Sequence, residues 1–348
     1  MRVLLLTTQV FFTHGGAEIH ASSLLDAIRR EGHEAELVAI PFKWYPPEKI
    51  LDNLLACRML DITESNGVPV DRVIGLRFPA YHIPHPNKVM WILHQYRTAF
   101  DLWAKPECDL GGFPDGRLVR EAIAKAEREL LPEARAIYAN SLNVARRLKD
   151  YCGMSAEPLY HPPKGAERFH GGECGDYLFF PSRLSGLKRQ ELALEALART
   201  RQPVRVAFSG KADNPAHLAH LQERAKKLRL DSRVRWLGMI SDEEMLERYA
   251  SCRAVLFPPL DEDYGYITLE AMLSSKAVIT CSDSGGPLEF VRDRENGLVA
   301  APDAESLAAA MDAMWKDSAF AVEAGARGRV LIDEMGINWK NVVGRLLA

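Results

Sequence analysis

Glu262 and Glu270, with seven residues between them, bracket the stretch Pro258-Pro259-Leu260-Asp261-Glu262-Asp263-Tyr264-Gly265-Tyr266-Ile267-Thr268-Leu269-Glu270-Ala271-Met272. Two prolines end a buried strand over 253–257, an acidic loop follows, and a helix opens near Ile267. A strand-to-helix loop of this kind lies at the carboxyl edge of a parallel sheet, where open α/β proteins bind ligands. The helix start offers backbone N–H groups and the positive end of a dipole to a phosphate. Carboxylates beside it accept hydrogen bonds from hydroxyls, as on a ribose or a hexose. An anion site flanked by two polyol sites matches a nucleotide sugar. The same spacing also suits a helix whose first turn is merely capped.

A second set of residues could serve the same anion. Arg183 and Lys188, five apart around Gly186 in Ser182-Arg183-Leu184-Ser185-Gly186-Leu187-Lys188, follow a strand and could converge on one diphosphate. Near the amino terminus, Thr13-His14-Gly15-Gly16-Ala17-Glu18 places paired glycines at a strand-to-helix turn. Such a turn lets a ligand approach the backbone closely, and it serves equally as a plain tight turn. It is not a GxGxxG fingerprint, which argues against a nicotinamide cofactor. Asp261-Glu262-Asp263 reads as a DxD, a metal-binding pattern. With Arg183, Lys188 and a helix end available to neutralise a diphosphate, neither a metal nor a cofactor is expected. The pairs His82/His85 and His217/His220 lack a carboxylate or cysteine to complete a ligand set and are read as solvated. His94 stands at a strand end, as a core histidine or a site residue. Arg120, Lys125, Arg128, Arg146, Arg147 and Lys149 make the late first half basic, but interleaved glutamates make a solvated helix face the default.

The elements that must position these residues alternate. Short β-branched or leucine-rich runs, beginning with Arg2–Thr8, are followed by amphipathic stretches, in a first series to about 160 and a second from Tyr177. Alternating βα units imply parallel sheets with helices on both faces, hence two Rossmann-like, doubly wound halves facing across a cleft. The segment 161–175 reads as the linker, with two prolines and four glycines. The expected domains are 1–165, 166–325, and a terminal helical segment 326–348 crossing back to the first half. A chain of 348 residues with 47% hydrophobic and 26% charged residues suits two soluble domains. A net charge of −3 gives no general attraction to nucleic acid. Six scattered cysteines with no CxxC pair point to a reducing cytoplasm, and no apolar run reaches the length of a membrane span.

Arg183 with Lys188, Gly210 after a strand, Trp236-Leu237-Gly238, the 258–272 stretch, Ser284-Gly285-Gly286-Pro287-Leu288-Glu289 and Asn296-Gly297-Leu298-Val299 occur in this order. Together they resemble the retaining, nucleotide-sugar-dependent glycosyltransferases of family 4, which have the GT-B fold. The likeness covers nearly all of the second half and, through Gly15-Gly16, Glu18 and His94, the first half more thinly. It implies that Arg183 and Lys188 hold the donor diphosphate, that Glu270 binds ribose hydroxyls, and that Glu262 faces the donor sugar. It further implies backbone contacts from Tyr264, Gly265, Tyr266 and Ile267, a border for the base at Met239 and Ile240, and approach of Gly16 to the phosphates. His94 would lie near the reacting carbon. Asp263 departs from the family, which usually has proline or a small residue there; so does Ser275-Lys276-Ala277 where the family has Gly-x-Pro.

The resulting expectation is a metal-independent hexosyltransferase that moves a sugar, UDP- or GDP-linked, to a sugar, glycolipid or small-molecule acceptor with retention of configuration. A cytoplasmic setting is expected, with peripheral contact at the inner membrane face left open. An epimerase or hydrolase using Glu262, His94 and His14, and a non-catalytic sugar-nucleotide sensor, are the alternatives. The base, the acceptor, the pathway and the oligomeric state are not written in the sequence.

Overall fold

A computed structural model describes residues 1–12, 15–106 and 108–348. They divide into two compact units, Met1–Lys164 with Asn338–Ala348, and Gly165–Ile337.

The first unit is built on β1 (Arg2–Gln9), α1 (Gly16–Arg30), β2 (Glu34–Pro41), α2 (Glu48–Met59), a small hairpin β3 (Glu64–Ser65) and β4 (Val68–Pro69), β5 (Arg72–Gly75), β6 (Lys88–Ile92), α3 (Gly116–Leu130), β7 (Ala136–Ala139), α4 (Leu142–Cys152) and β8 (Glu157–Pro158). Its main sheet is parallel in the order β2-β1-β5-β6-β7-β8. Strand alternation divides the core between two faces. On β6, Val89 and Trp91 enter a cluster with Leu24 and Ile28 of α1, while Met90 and Ile92 enter another with Ile123 of α3 and Leu148 of α4. The sheet is covered on both faces, as an all-parallel sheet requires.

The second unit repeats the plan with β9 (Leu178–Pro181), α5 (Gln190–Arg199), β10 (Val206–Ser209), α6 (Pro215–Lys227), β11 (Val234–Gly238), α7 (Asp242–Ser251), β12 (Ala254–Leu256), α8 (Tyr266–Leu273), β13 (Ala277–Cys281), β14 (Gly297–Ala300), α9 (Ala304–Lys316) and α10 (Ser318–Met335). The sheet is parallel throughout, β11-β10-β9-β12-β13-β14. From β9 the chain steps outward through β10 and β11, then returns to the other side of β9 with β12. The loops after β9 and β12 therefore leave in opposite directions, which makes the crevice between them the topological switch point.

The last helix, α11 (Trp339–Leu347), belongs to the first unit. Asn338 caps its start, its side chain accepting the Asn341 N–H at 2.8 Å. The buried Arg72 guanidinium donates to the carbonyls of Leu346, Leu347 and Ala348 at 3.2, 3.3 and 2.9 Å, a cation on the negative end of the helix dipole. Val342, Val343 and Leu346 join the α1 face of the core.

Several sequence expectations are corrected. Residues 326–337 stay with the second unit, because α10 packs on α8 and β13; an added Cβ at Gly325 would lie 2.1 Å from the Ser275 carbonyl oxygen. Gly286–Glu289, at Pro287, forms a single 3-10 turn. His82 and His85 are buried, not solvated. The α3 face is not wholly solvated either. Glu127 is fully buried and accepts from the Tyr81 hydroxyl at 2.6 Å, with His82 Nε2 at 3.3 Å. Among the described residues no helix is long and apolar enough to cross a membrane.

Candidate functional site

In the second unit the loop after β9 is held from within. The buried Gln190 amide donates to Ser182 Oγ and to the Arg183 carbonyl, both at 3.0 Å, and its oxygen accepts the Ser185 N–H at 3.3 Å. The neighbouring strand end presses against this loop, for a Cβ at Gly210 would stand 2.2 Å from the Ser182 carbonyl oxygen. Gly210 also has φ +135, so the position is closed to any side chain. Arg189, in the left-handed region at φ +57, sets its guanidinium on both Asp283 oxygens at 2.7 and 2.6 Å.

The loop after β12 is clamped from both sides. Leu260 N–H donates to the Leu187 carbonyl at 2.8 Å, which ties it to the β9 loop. Asp261 and Glu262 N–H donate to the Asp283 and Ser284 carbonyls at 2.9 Å each, and Gly286 N–H donates to the Glu262 carbonyl at 2.8 Å. Gly265, at φ +87, caps α8, and a Cβ there would meet Pro287 Cγ at 2.9 Å; one at Gly286 would meet the Tyr264 carbonyl oxygen at 2.6 Å. The two glycines let the β12 and β13 loops pass in backbone contact.

This frame brings Lys188 onto Glu262, whose carboxylate accepts from the ammonium group. Their side chains are 16% and 22% exposed, so the pair is shielded enough to be strong and open enough to be reached. Arg183 is not part of that contact. It pairs with Asp213 at 3.2 Å and is 63% exposed, so the two cations of the loop each take a carboxylate of their own. The expected convergence of Arg183 and Lys188 on one point is thus not what the side chains display. Glu270 lies on α8 beyond the first turn. The buried Tyr249 hydroxyl of α7 donates to it at 2.6 Å. Burial raises the Glu270 carboxyl above its ordinary 4.5, and the Tyr249 hydrogen bond opposes that rise. Burial also raises the hydroxyls of Tyr249 and Tyr266. Tyr264 is buried edge-on to Phe290 and to Tyr266, at 5.8 and 5.3 Å between ring centres, and Ile267 follows on the same helix. Met239 is exposed and Ile240 half-buried, beyond Gly238 at φ +66.

In the first unit Gly15 caps α1 with an extended φ of −156 that any residue could adopt. Its N–H donates to Glu18 Oε2 at 2.8 Å, half of a capping box, and Arg77 holds the other Glu18 oxygen at 2.8 Å. Gly16 is the first helical residue; Thr13 and His14 lie outside the described residues. His94 follows β6 by two residues and is half-buried. Its Nδ1 sits 2.7 Å from the Gln95 carbonyl, which can only accept, so Nδ1 carries the proton.

Sequence reading missed Tyr249, Gln190, Arg189 and Asp283. Tyr249 and Glu270 lie 21 residues apart on different helices, with no spacing to betray them. Asp283 stands directly before Ser284-Gly285-Gly286, and that acidic residue was the available signal. Among the described residues no group of three His, Cys, Asp or Glu side chains gathers as a metal site would require.

The two parallel-sheet units define the chain as a GT-B fold. The solved sucrose-phosphate synthase of Thermosynechococcus elongatus matches it with a TM-score of 0.77 at 17% identity, covering 99% of this chain and 97% of that one. Residues 172–330, within the second unit, match the family model described as Glycosyl transferases group 1. The chain is 29% identical to alpha-1,3/1,6-mannosyltransferase ALG2 of Dictyostelium discoideum over 126 residues, 36% of this chain and 30% of that protein. It is 24% identical to O-antigen chain mannosyltransferase C of Escherichia coli over 186 residues, 53% and 48% of the two. It thus spans less than half the length of these two relatives.

Proposed function

We propose that this protein is a retaining glycosyltransferase that moves a hexose from a nucleoside-diphosphate sugar to an acceptor hydroxyl without a metal ion. The observation that carries the reading is the Lys188–Glu262 contact at the carboxyl edge of the second sheet, beside the start of α8. An incoming diphosphate competes with Glu262 for the Lys188 ammonium, with Arg183 swinging from Asp213 as a second cation. Glu262, released, accepts hydroxyls of the donor sugar. Glu270, steadied by Tyr249, accepts the ribose hydroxyls, while Tyr264, Gly265, Tyr266 and Ile267 contribute backbone at the sugar and phosphate, and Met239 and Ile240 border the base.

In this proposal no side chain acts as a covalent nucleophile. The reading is therefore front-face attack, in which the carbon–oxygen bond to the diphosphate breaks as the acceptor oxygen bonds to the same face. The acceptor proton passes to the departing diphosphate, whose charge Lys188 and Arg183 stabilise. The family resemblance assigns His94, whose Nδ1–H is fixed on Gln95, a role at the donor sugar. The names of both relatives make mannose the first sugar to test. Purified protein is given GDP-mannose, UDP-glucose and a panel of sugar acceptors, with EDTA throughout, and the anomeric configuration of any product is read by NMR. Transfer with retention in EDTA supports the proposal. Inverted product, or turnover only after Mg²⁺ is restored, overturns the corresponding part of it.

A further inference from the structure

At the opposite, amino edge of the second sheet lies a separate cavity of about 230 Å³, walled by the starts of β9, β10 and β11 and by α7. Its lining includes four arginines, Arg205, Arg233, Arg235 and Arg248, and one carboxylate, Asp176. Such an excess is unusual in a chain with 44 basic and 47 acidic residues. Arg205 reaches Asp176 at 2.5 Å, and Arg248 pairs with Glu244 at 2.9 Å. Arg233 and Arg235 form no ion pair among the described residues. Arg233 instead spends its donors on the carbonyls of Val204, at 2.8 Å, and Gln202, at 3.4 Å, and on the Thr200 hydroxyl. Burial lowers its pKa, and the nearby Asp312 charge opposes that fall.

The walls are rigid. The Arg205 and Arg233 carbonyls accept the Leu178 and Val206 N–H groups at 2.8 Å each, within the sheet's own ladder. Tyr177 donates its hydroxyl to the Arg248 carbonyl at 2.8 Å, which pins α7 to the start of β9. Four arginines lining one small concavity, against a single carboxylate, suit a phosphate group in size and charge.

We infer that this cavity binds a compact phosphate-bearing ligand, distinct from the sugar donor. A soluble phosphate and the headgroup of an anionic lipid share this chemistry, and a titration separates them. Pyrophosphate is titrated calorimetrically into the Lys188→Ala/Arg183→Ala protein, which removes the donor-site cations, with the intact protein in parallel. The same titration is run after adding Arg235→Glu, at an exposed position where an unchanged melting temperature is expected and is checked, and after adding Arg205→Gln. Pyrophosphate is expected to bind the double variant, and each further change to weaken it about tenfold or more, the cost of a lost charge-assisted hydrogen bond. Co-sedimentation with phosphatidylcholine vesicles containing phosphatidic acid, lost in Arg235→Glu, identifies the lipid as the source. Sedimentation unchanged by Arg235→Glu, with pyrophosphate bound by the double variant and weakened by that change, identifies the soluble ligand. If neither probe binds the double variant at millimolar concentration, or if Arg235→Glu and Arg205→Gln leave binding unaltered, the inference is overturned.

Discussion

Lys188 and Glu262 hold each other in a contact that an anion can break, so their replacements should separate two effects. Lys188→Ala should lower turnover by roughly 10²–10³, as removal of a charge stabiliser does. Arg183, more exposed and paired elsewhere, should cost less, about 10-fold to 10²-fold. Steady-state kinetics with a saturating donor measures both, and unchanged kcat in both variants would place the chemistry elsewhere. Tyr249→Phe should chiefly raise the donor KM, because it leaves Glu270 in place and removes the hydrogen bond that orients it. The pH dependence has a definite sign. Burial raises the Glu270 pKa, so on acidification the carboxylate is lost at a higher pH than an ordinary 4.5 carboxyl would allow. Donor affinity should therefore fall on the acid side before 4.5 is reached, and Glu270→Gln should flatten that limb. These side chains were legible from type and position: two carboxylates and two cations at strand ends. The partners of Arg183 and Glu270 were not, since Asp213 and Tyr249 reach them through tertiary packing alone.

At the scale of elements, the glycines that let loops pass are the firmest sequence signals. Gly286→Ala should push the β12 loop away from the β13 loop, with a Cβ 2.6 Å from the Tyr264 carbonyl oxygen, and weaken donor binding without unfolding the sheet. A nucleotide thermal-shift titration reads this directly. The helices and most strands follow from hydrophobic periodicity, which failed where an element has too few residues to show a period. Hence β8 and the β3–β4 hairpin, of two residues per strand, went unread. Periodicity also says nothing of a polar residue facing the core. The fully buried Glu127, His82 and Lys88 look in sequence like any solvated charge.

At the scale of the molecule, the return of α11 gives the first unit a feature no single motif announces. His20 of α1 lies against Trp91, His161 and Trp339, at 4.3, 4.5 and 6.5 Å between ring centres. Neither His20 ring nitrogen has a hydrogen-bond partner among the described residues, and burial lowers its pKa from 6.5 to about 3. Burial also lowers His161 well below 6.5, with His20 beside it a lesser cause. Both must be neutral in the folded state and can charge in the unfolded one. Their contribution is complete above about pH 6.5 and declines as pH falls, by up to about 1.4 kcal/mol per pH unit for each histidine. Urea melts at pH 7.5 and 5 should show the loss, and His20→Phe should reduce it. Leu346→Ala, at a fully buried position on α11, should cost about 2–5 kcal/mol in the same assay.

Because the chain leaves the first unit at Lys164 and re-enters it at Asn338, order of synthesis and order of completion differ. A growing chain on the ribosome has made all of β1 to β8 long before α11 exists to cover Leu24 and Ile28, or to receive the Arg72 guanidinium. The second unit, continuous from Gly165 to Ile337, emerges whole and can fold first, while the older half waits with part of the α1 face of its core uncovered. Nascent-chain protease protection should thus appear in the second unit before the first. A stop codon just after Ile337 should yield a chain that still binds nucleotide but clings to chaperones through the apolar surface that α11 would have sealed.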